Sequence, residues 1–296
     1  MIVSCLDGSE ASHAAARWAA AVAARRGAVL RLVHIRTAPW PGWSPRAADP
    51  DVVFAMHDGA QRRLERVRDD LSRSFPGLTI LIVARSMESP ATALLAESHD
   101  AALTVLGSSA SSYPVGISAR SAAAALTTYP GVAVALVPQP AGQPQLWNDG
   151  PVTVAVGDPD QAESAVQFAG DEAALRGCDL VAVRAWNHRS LARAISSIPR
   201  SGTHVGRHER ERRTLSAKVA HSASRYPEVA VLPAVRYGHA ATALLRNPRT
   251  EENTTTAPQL IVVGSRGRGR IAGFLLGSPS RSLLTGATCP VAVIPE

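Results

Sequence analysis

The stretch Leu260-Ile261-Val262-Val263-Gly264-Ser265-Arg266-Gly267, with Gly277-Ser278 beyond it and Val291–Ile294 closing it, decides the fold of this chain. Leu260–Val263 and Val291–Ile294 are short β-branched runs, the signature of strands buried on both faces of a parallel sheet. Between them lie a glycine-rich, arginine-bearing loop and a helix opening near Ser278. Glycines at the carboxyl end of a parallel strand let the backbone approach a ligand without a Cβ in the way. The N–H groups of such a loop, together with those of a helix N-terminus, make a cradle for an anion. Phosphate is the guest this predicts, and a nucleotide its carrier. The spacing is not that of a P-loop, because the only lysine is the distant Lys218. Nor is it the dinucleotide fingerprint, since Gly267, Gly269 and Gly273 are wrongly spaced.

A chain of 296 residues suits two domains, and internal repetition sets the division. Ile2–Leu6 runs into Asp7-Gly8-Ser9, and Val152–Gly157 into Asp158-Pro159-Asp160. An alanine-rich stretch follows each, then Arg26-Gly27 in one copy and Arg176-Gly177 in the other. Second strands are expected at Val29–Ile35 and Leu180–Ala185, third strands at Leu78–Val83 and Val229–Val235. Fourth strands are expected at Leu103–Leu106 and Leu260–Val263, and Gly107 to Pro138 aligns with Gly264 to Pro295 without a gap. Ala11, Ala15, Trp18 and Val22 share one helical face, as do Ala165, Ala169 and Ala173. Strands alternating with such helices predict parallel βαβ crossovers, hence an α/β chain of two tandem doubly wound domains, 1–140 and 151–296. Ligands of such sheets sit outside the carboxyl ends of the strands, where Asp7, Asp158, Gly107 and Gly264 fall. The proline-rich segment 138–151 reads as the linker. Loops are expected over Thr37–Pro50 and Ser196–Gly206, and a mobile patch over Asn247–Pro258.

Gly264-x2-Gly267-x9-Gly277-Ser278, closed by Cys289-Pro290-Val291-Ala292-Val293, resembles the nucleotide loop and last strand of the universal stress protein family. The resemblance implies two Rossmann-like, adenine-nucleotide alpha-hydrolase-like domains, each with a five-stranded, mostly parallel sheet. It also implies ATP as ligand, with or without Mg2+. Gly264 and Gly267 would then bring the backbone against the first phosphates, and Gly277, Ser278, Pro279 and Ser280 would hold the terminal ones. Arg266 would lend charge. Asp158, with Pro159 after it, would meet the adenine or ribose end, and Val263 and Ala185 would line the base or ribose. Each has a plainer reading: Asp158 as a helix cap or turn residue, Val263 and Ala185 as strand packing. Asp7 and Gly107 are the weaker candidates of the first copy. There Ala110 stands where Gly267 does and Arg120 replaces Gly277, so the second copy is expected to bind ATP and the first weakly or not at all. By the same resemblance, Val132–Val137 and Val291–Ile294 would pair two domains edge to edge, as a pseudo-dimer within one chain, with a homodimer also open.

A net charge of +7 and a pI near 10.1 invite a nucleic-acid reading. The charge is almost wholly arginine, however, and Arg200–Arg213 alternates with Glu209 and Glu211 like a solvated helix face. No nucleic-acid motif accompanies it. Cys5, Cys178 and Cys289 lack paired spacing, and Cys5 and Cys289 read as buried thiols. No apolar run is long enough to span a membrane, and the first strand begins too early for a signal peptide, so the cytoplasm is expected. No nucleophile elbow appears; His204 and His208 are four apart, but they are expected in a basic loop that lacks a third obvious ligand. The chain is expected to be a nucleotide-binding regulator with at most slow hydrolysis. A scaffold of the same fold that engages a protein partner is the rival, and a nucleotide hydrolase or self-phosphorylating protein the second.

Overall fold

The computed structural model describes residues 1–36, 49–86, 90–108, 119–127, 129, 131–139, 149–157, 163–186, 204–245, 257–265, 283 and 286–295. The chain divides into two compact units, Met1–Leu146 and Trp147–Glu296. The first carries β1 (Ile2–Cys5), α1 (Glu10–Arg25), β2 (Leu30–Arg36), α2 (Pro50–Ser74), β3 (Ile80–Ser86), α3 (Pro90–Ser98), β4 (Leu103–Ser108), α4 (Ala119–Leu126) and β5 (Val134–Pro138). The second carries β6 (Val152–Ala155), α5 (Glu163–Arg176), β7 (Leu180–Trp186), α6 (His204–Arg225), β8 (Val231–Tyr237), α7 (Ala240–Leu245), β9 (Leu260–Gly264) and β10 (Val291–Ile294).

Strand order within the first unit is β3-β2-β1-β4-β5, and within the second β8-β7-β6-β9-β10. Every pairing inside either unit is parallel. The chain winds outward from the central strand in one direction and then returns to its other side. The β1/β4 and β6/β9 junctions are therefore the switch points at which doubly wound sheets place ligands.

Helix α1 shows why the sequence folds this way. Its N-cap is Ser9, whose Oγ accepts from the Ser12 amide at 3.1 Å. Its apolar stripe of Ala11, Ala15, Trp18 and Val22 is buried to 1 % exposure or less against the sheet. The methyl side chains let helix and strands approach closely, and Trp18 fills the space they leave. Ala165, Ala169 and Ala173 repeat the pattern on α5.

Two buried polar clusters tie the layers together. In the first unit Glu97, on α3, accepts from Arg31 of β2 at 3.0 Å and from Arg85 of β3 at 2.7 Å. In the second, Arg176 pairs with Glu172 at 2.8 Å, both side chains 2 % exposed, and donates to Gln259 at 2.9 Å. The Gln259 amide in turn donates to the Gly150 carbonyl at 2.6 Å. Each buried charge thus has its partner, the condition on which such groups are tolerated.

The strands follow the expected order with shifted ends. β3 and β8 start two residues later than their apolar runs, and they continue through Ala84-Arg85-Ser86 and Arg236-Tyr237 while register with β2 and β7 persists. α6 begins at His204, inside the expected loop, so His204 and His208 lie on a helix. The rest of that loop, most of 37–50 and residues 247–256 fall outside the described residues.

Candidate functional site at the strand ends

In the first unit the Leu6 amide donates to Val33 at 2.8 Å, extending the β1/β2 ladder by one step. Asp7 follows, and its Oδ1 accepts from the Ser9 amide at 2.8 Å and from the Ser9 hydroxyl at 2.6 Å. That carboxylate therefore buttresses the helix cap. Gly8 between them has φ +88°, a left-handed value suited to glycine. His34, near the end of β2, meets the Leu6 carbonyl through Nδ1 at 2.7 Å. A carbonyl only accepts, so Nδ1 carries the proton.

Little space remains there. Arg63, from α2, lies over Gly8, its Nη1 3.2 Å from where a Cβ would sit. The cleft between Leu6, His13, His34, Leu64 and Val67 is about 10 Å³, room for roughly one water molecule. Gly107, at the end of β4, is explained by packing: a Cβ there would fall 2.5 Å from the Ser12 amide nitrogen, against the backbone of α1.

The second unit repeats this geometry with different chemistry. The Val156 amide donates to Val183 at 2.9 Å, as Leu6 does to Val33. Gly177 and Gly27 both turn the chain with positive φ, and Leu180 and Leu30 open β7 and β2 in the same register. The copies thus keep one spacing from the starts of β1 and β6 to the starts of β2 and β7. Gly157 occupies the place of Asp7, and Asp158 corresponds to Gly8. This corrects the pairing of Asp7 with Asp158: the acidic residue closing the apolar run is one step beyond the position set by the hydrogen-bond ladder. Asp158 and Pro159 themselves lie outside the described residues.

Arg184 takes the place of His34. Its Nη1 donates to the Gly157 carbonyl and its Nε to Oε2 of Glu211, on α6. Glu211 is thereby turned inward, its side chain 27 % exposed. Glu209 does face solvent with Arg212 and Arg213, which hold its carboxyl below the usual range. The solvated-face reading therefore holds for one of the two glutamates. Arg184 was visible as a lone charge inside the apolar run of β7. Its link to Glu211 needs the tertiary structure.

On the other side of β6, Val263 is buried and registers with Val293, and Gly264 registers with Ile294. The Ser265 amide donates to the Ile294 carbonyl at 2.8 Å, one residue beyond the end of β9. Ala185 lies at the end of β7, paired in register with Arg236. The structure thus sets Ala185, Val263 and Gly264 along one edge, flanking β6. Arg266, Gly267, Gly277, Ser278, Pro279 and Ser280 lie outside the described residues.

Two features bear on chemistry. Among the described residues no three His, Cys, Asp or Glu side chains gather to hold a metal ion. Burial pushes the thiols of Cys5 and Cys289 up to about 12, with the Asp7 charge adding at Cys5. Such thiols are neutral and poor nucleophiles. No described helix is long and apolar enough to cross a membrane.

The universal stress protein family model matches residues 1–138 and again 150–295. The chain belongs to the universal stress protein family. Both matches lie within the two compact units, so each unit is one universal stress protein domain. A universal stress protein of Mycolicibacterium smegmatis is 31% identical over 296 residues, covering 98% of this chain and 95% of that protein. One of Mycobacterium tuberculosis is 29% identical over 295 residues, covering 99% and 96%. The crystal structure of a universal stress protein from Archaeoglobus fulgidus superposes with a TM-score of 0.66 at 16% identity, covering 100% of this chain and 96% of that one. That likeness concerns the fold.

Proposed function

We propose that this universal stress protein binds ATP, with or without Mg2+, in its second domain and serves as a nucleotide-dependent regulator of the stress response. The observation that carries the reading is the end of β9. Gly264 ends the strand beside the switch point, and the Ser265 amide is tied to Ile294. The sequence Arg266-Gly267, then Gly277-Ser278-Pro279-Ser280, continues from that edge. Main-chain amides without obstructing Cβ atoms suit a triphosphate there. Ala185 and Val263 supply apolar surface for the base. The first domain, with Arg63 over Gly8 and a cleft the size of one water, is proposed to bind ATP weakly or not at all. The regulator is proposed to work in the cytoplasm, with any hydrolysis slow.

Titration calorimetry of the full chain tests this. The expected result is close to one ATP per chain, lost in Gly267→Arg. Two equivalent sites per chain overturn the asymmetry, and no heat or thermal shift at millimolar ATP overturns nucleotide binding. The scaffold reading draws support from one observation: in the second domain the residue that holds the place of Asp7 is Gly157.

A further inference from the structure

The two units end their sheets on matching strands, β3 and β8, but finish those edges differently. Leu30 registers with Ile80, and Leu180 with Val231. The Leu30 amide donates to the Thr79 carbonyl at 3.0 Å, and the Leu180 amide to the Ala230 carbonyl at 3.0 Å. Backbone groups along a strand point alternately to one side and the other. Thr79, Leu81, Val83 and Arg85 therefore bond β2, and Ile80, Ile82 and Ala84 turn their amides and carbonyls outward. In β8 the outward positions are Val231, Pro233 and Val235. Pro233 has no N–H to offer, and its ring stands in the middle of that edge, which discourages a further strand. Its counterpart in β3 is Ile82.

No described strand lies beyond β3. Its outward positions carry no proline, glycine or charge, and Leu81 beside them is 44% exposed. What this edge fits is the same edge turned around. With Ile82 on a twofold axis, Ile80 meets the partner's Ala84 and Leu81 meets the partner's Val83, so each face of the joined sheet sets apolar against apolar. Ile82 exchanges both backbone hydrogen bonds with the partner's Ile82, the antiparallel pattern. Arg85 falls opposite the partner's Thr79, which keeps the two arginines apart.

The helix above the edge agrees. Ala60, Leu64 and Leu71 of α2 are buried toward the sheet, and Arg63 and Val67 line the cleft with His13 of α1 on one flank. Gln61, Glu65, Arg68 and Ser72, at steps of four, three and four, share the other flank, above the outer edge. Two such helices running antiparallel bring Glu65 of each toward the partner's Arg68.

We propose that the β3 edge is a homodimer interface, in which two copies of this chain pair their β3 strands antiparallel about Ile82. The edge is its own complement in hydrogen bonding, apolar pairing and charge, as a twofold contact requires, and this favours a second copy over the strand of another protein. The proposal is independent of the nucleotide reading.

Analytical ultracentrifugation of the full chain at micromolar concentrations tests it. The wild-type chain is expected near twice its 31.0 kDa mass. Ile82→Pro gives β3 the residue that β8 already carries. It removes an outward amide and leaves the β2 ladder intact, so a monomer with an unchanged far-ultraviolet circular dichroism spectrum is expected. Leu81→Lys sets a charge against the partner's Val83 and is expected to weaken the dimer by roughly tenfold or more. Val235→Lys, on the edge of β8, is expected to leave the dimer unchanged. A wild-type chain that stays monomeric overturns the proposal. So does a dimer of undiminished strength in either Ile82→Pro or Leu81→Lys, because it must then form through another surface. Should Ile82→Pro fold poorly by thermal melt, Leu81→Lys decides alone.

Discussion

Replacing Gly107 by alanine adds one methyl group where the end of β4 meets the first turn of α1. The new carbon would fall 2.5 Å from the Ser12 amide nitrogen and nearer still to the Ala11 carbonyl. Ordinary carbon contacts lie at about 3.5–4.0 Å, so the overlap exceeds about 1 Å. The obstacle is backbone, so no side chain can rotate away. Relief requires α1 to move off the sheet. That movement disturbs its Ser9 cap, worth about 1 kcal/mol, and opens space beside Trp18, which is 1 % exposed. Overpacking alone costs about 1–3 kcal/mol, so the total is placed near 3–4 kcal/mol for the first unit. Gly59 is the internal control. It lies within α2, and a Cβ there meets nothing within 4 Å. Gly59→Ala is therefore expected to stabilise the same unit by about 0.5–1 kcal/mol. Urea unfolding of the three proteins, followed by far-ultraviolet circular dichroism, measures both changes. A Gly107→Ala variant within about 0.5 kcal/mol of wild type would refute the close approach of β4 to α1.

Two further outcomes follow from buried groups. The Cys289 thiol is pushed up to about 12 from an ordinary value near 9, so above about pH 9 the unfolded chain releases a proton that the folded chain keeps. Stability is full below that pH and falls as pH rises toward 12, by about 1.4 kcal/mol per unit for this group. The stability gap between wild type and Cys289→Ala should therefore narrow from pH 8 to pH 11; parallel curves would contradict it. Glu97→Ala removes the shared partner of Arg31 and Arg85. Both arginines reach water, at 28% and 56% exposure, so the loss is placed at about 2 kcal/mol, below that of a fully buried pair. A urea midpoint unmoved by this change would show the cluster to be dispensable.

The parts of this molecule written in local pattern were legible, and the parts set by register were not. Continuous apolar runs announced each strand, and four-three-four spacing announced the buried stripe of α1. The strand ends slipped because hydrophobicity stops at Val83 whereas pairing continues to Ser86 opposite Arg36. Arg85 in that extension is explained only by Glu97 across the fold. Asp158 looked like the counterpart of Asp7 because each is the first acid after an apolar run. Only the ladder from Val156 to Val183 shows that Gly157 is the equivalent residue. Glu211 was hidden for the opposite reason. In a helix dense with charge, nothing in the sequence says which glutamate faces inward. Of the candidate site, Ala185, Val263 and Gly264 fall on the expected edge, and the remaining loop positions in the second unit rest on the sequence pattern.

The buried chain of contacts from Glu172 through Arg176 and Gln259 reaches the carbonyl of Gly150. This sets a practical limit on dissection of the gene. A fragment of the second half that begins at Pro151 discards the acceptor for the Gln259 amide, and an interior arginine loses the prop beneath its own partner. A start codon placed upstream of Asn148 keeps that acceptor, so fragments differing by only a few codons should differ sharply in yield.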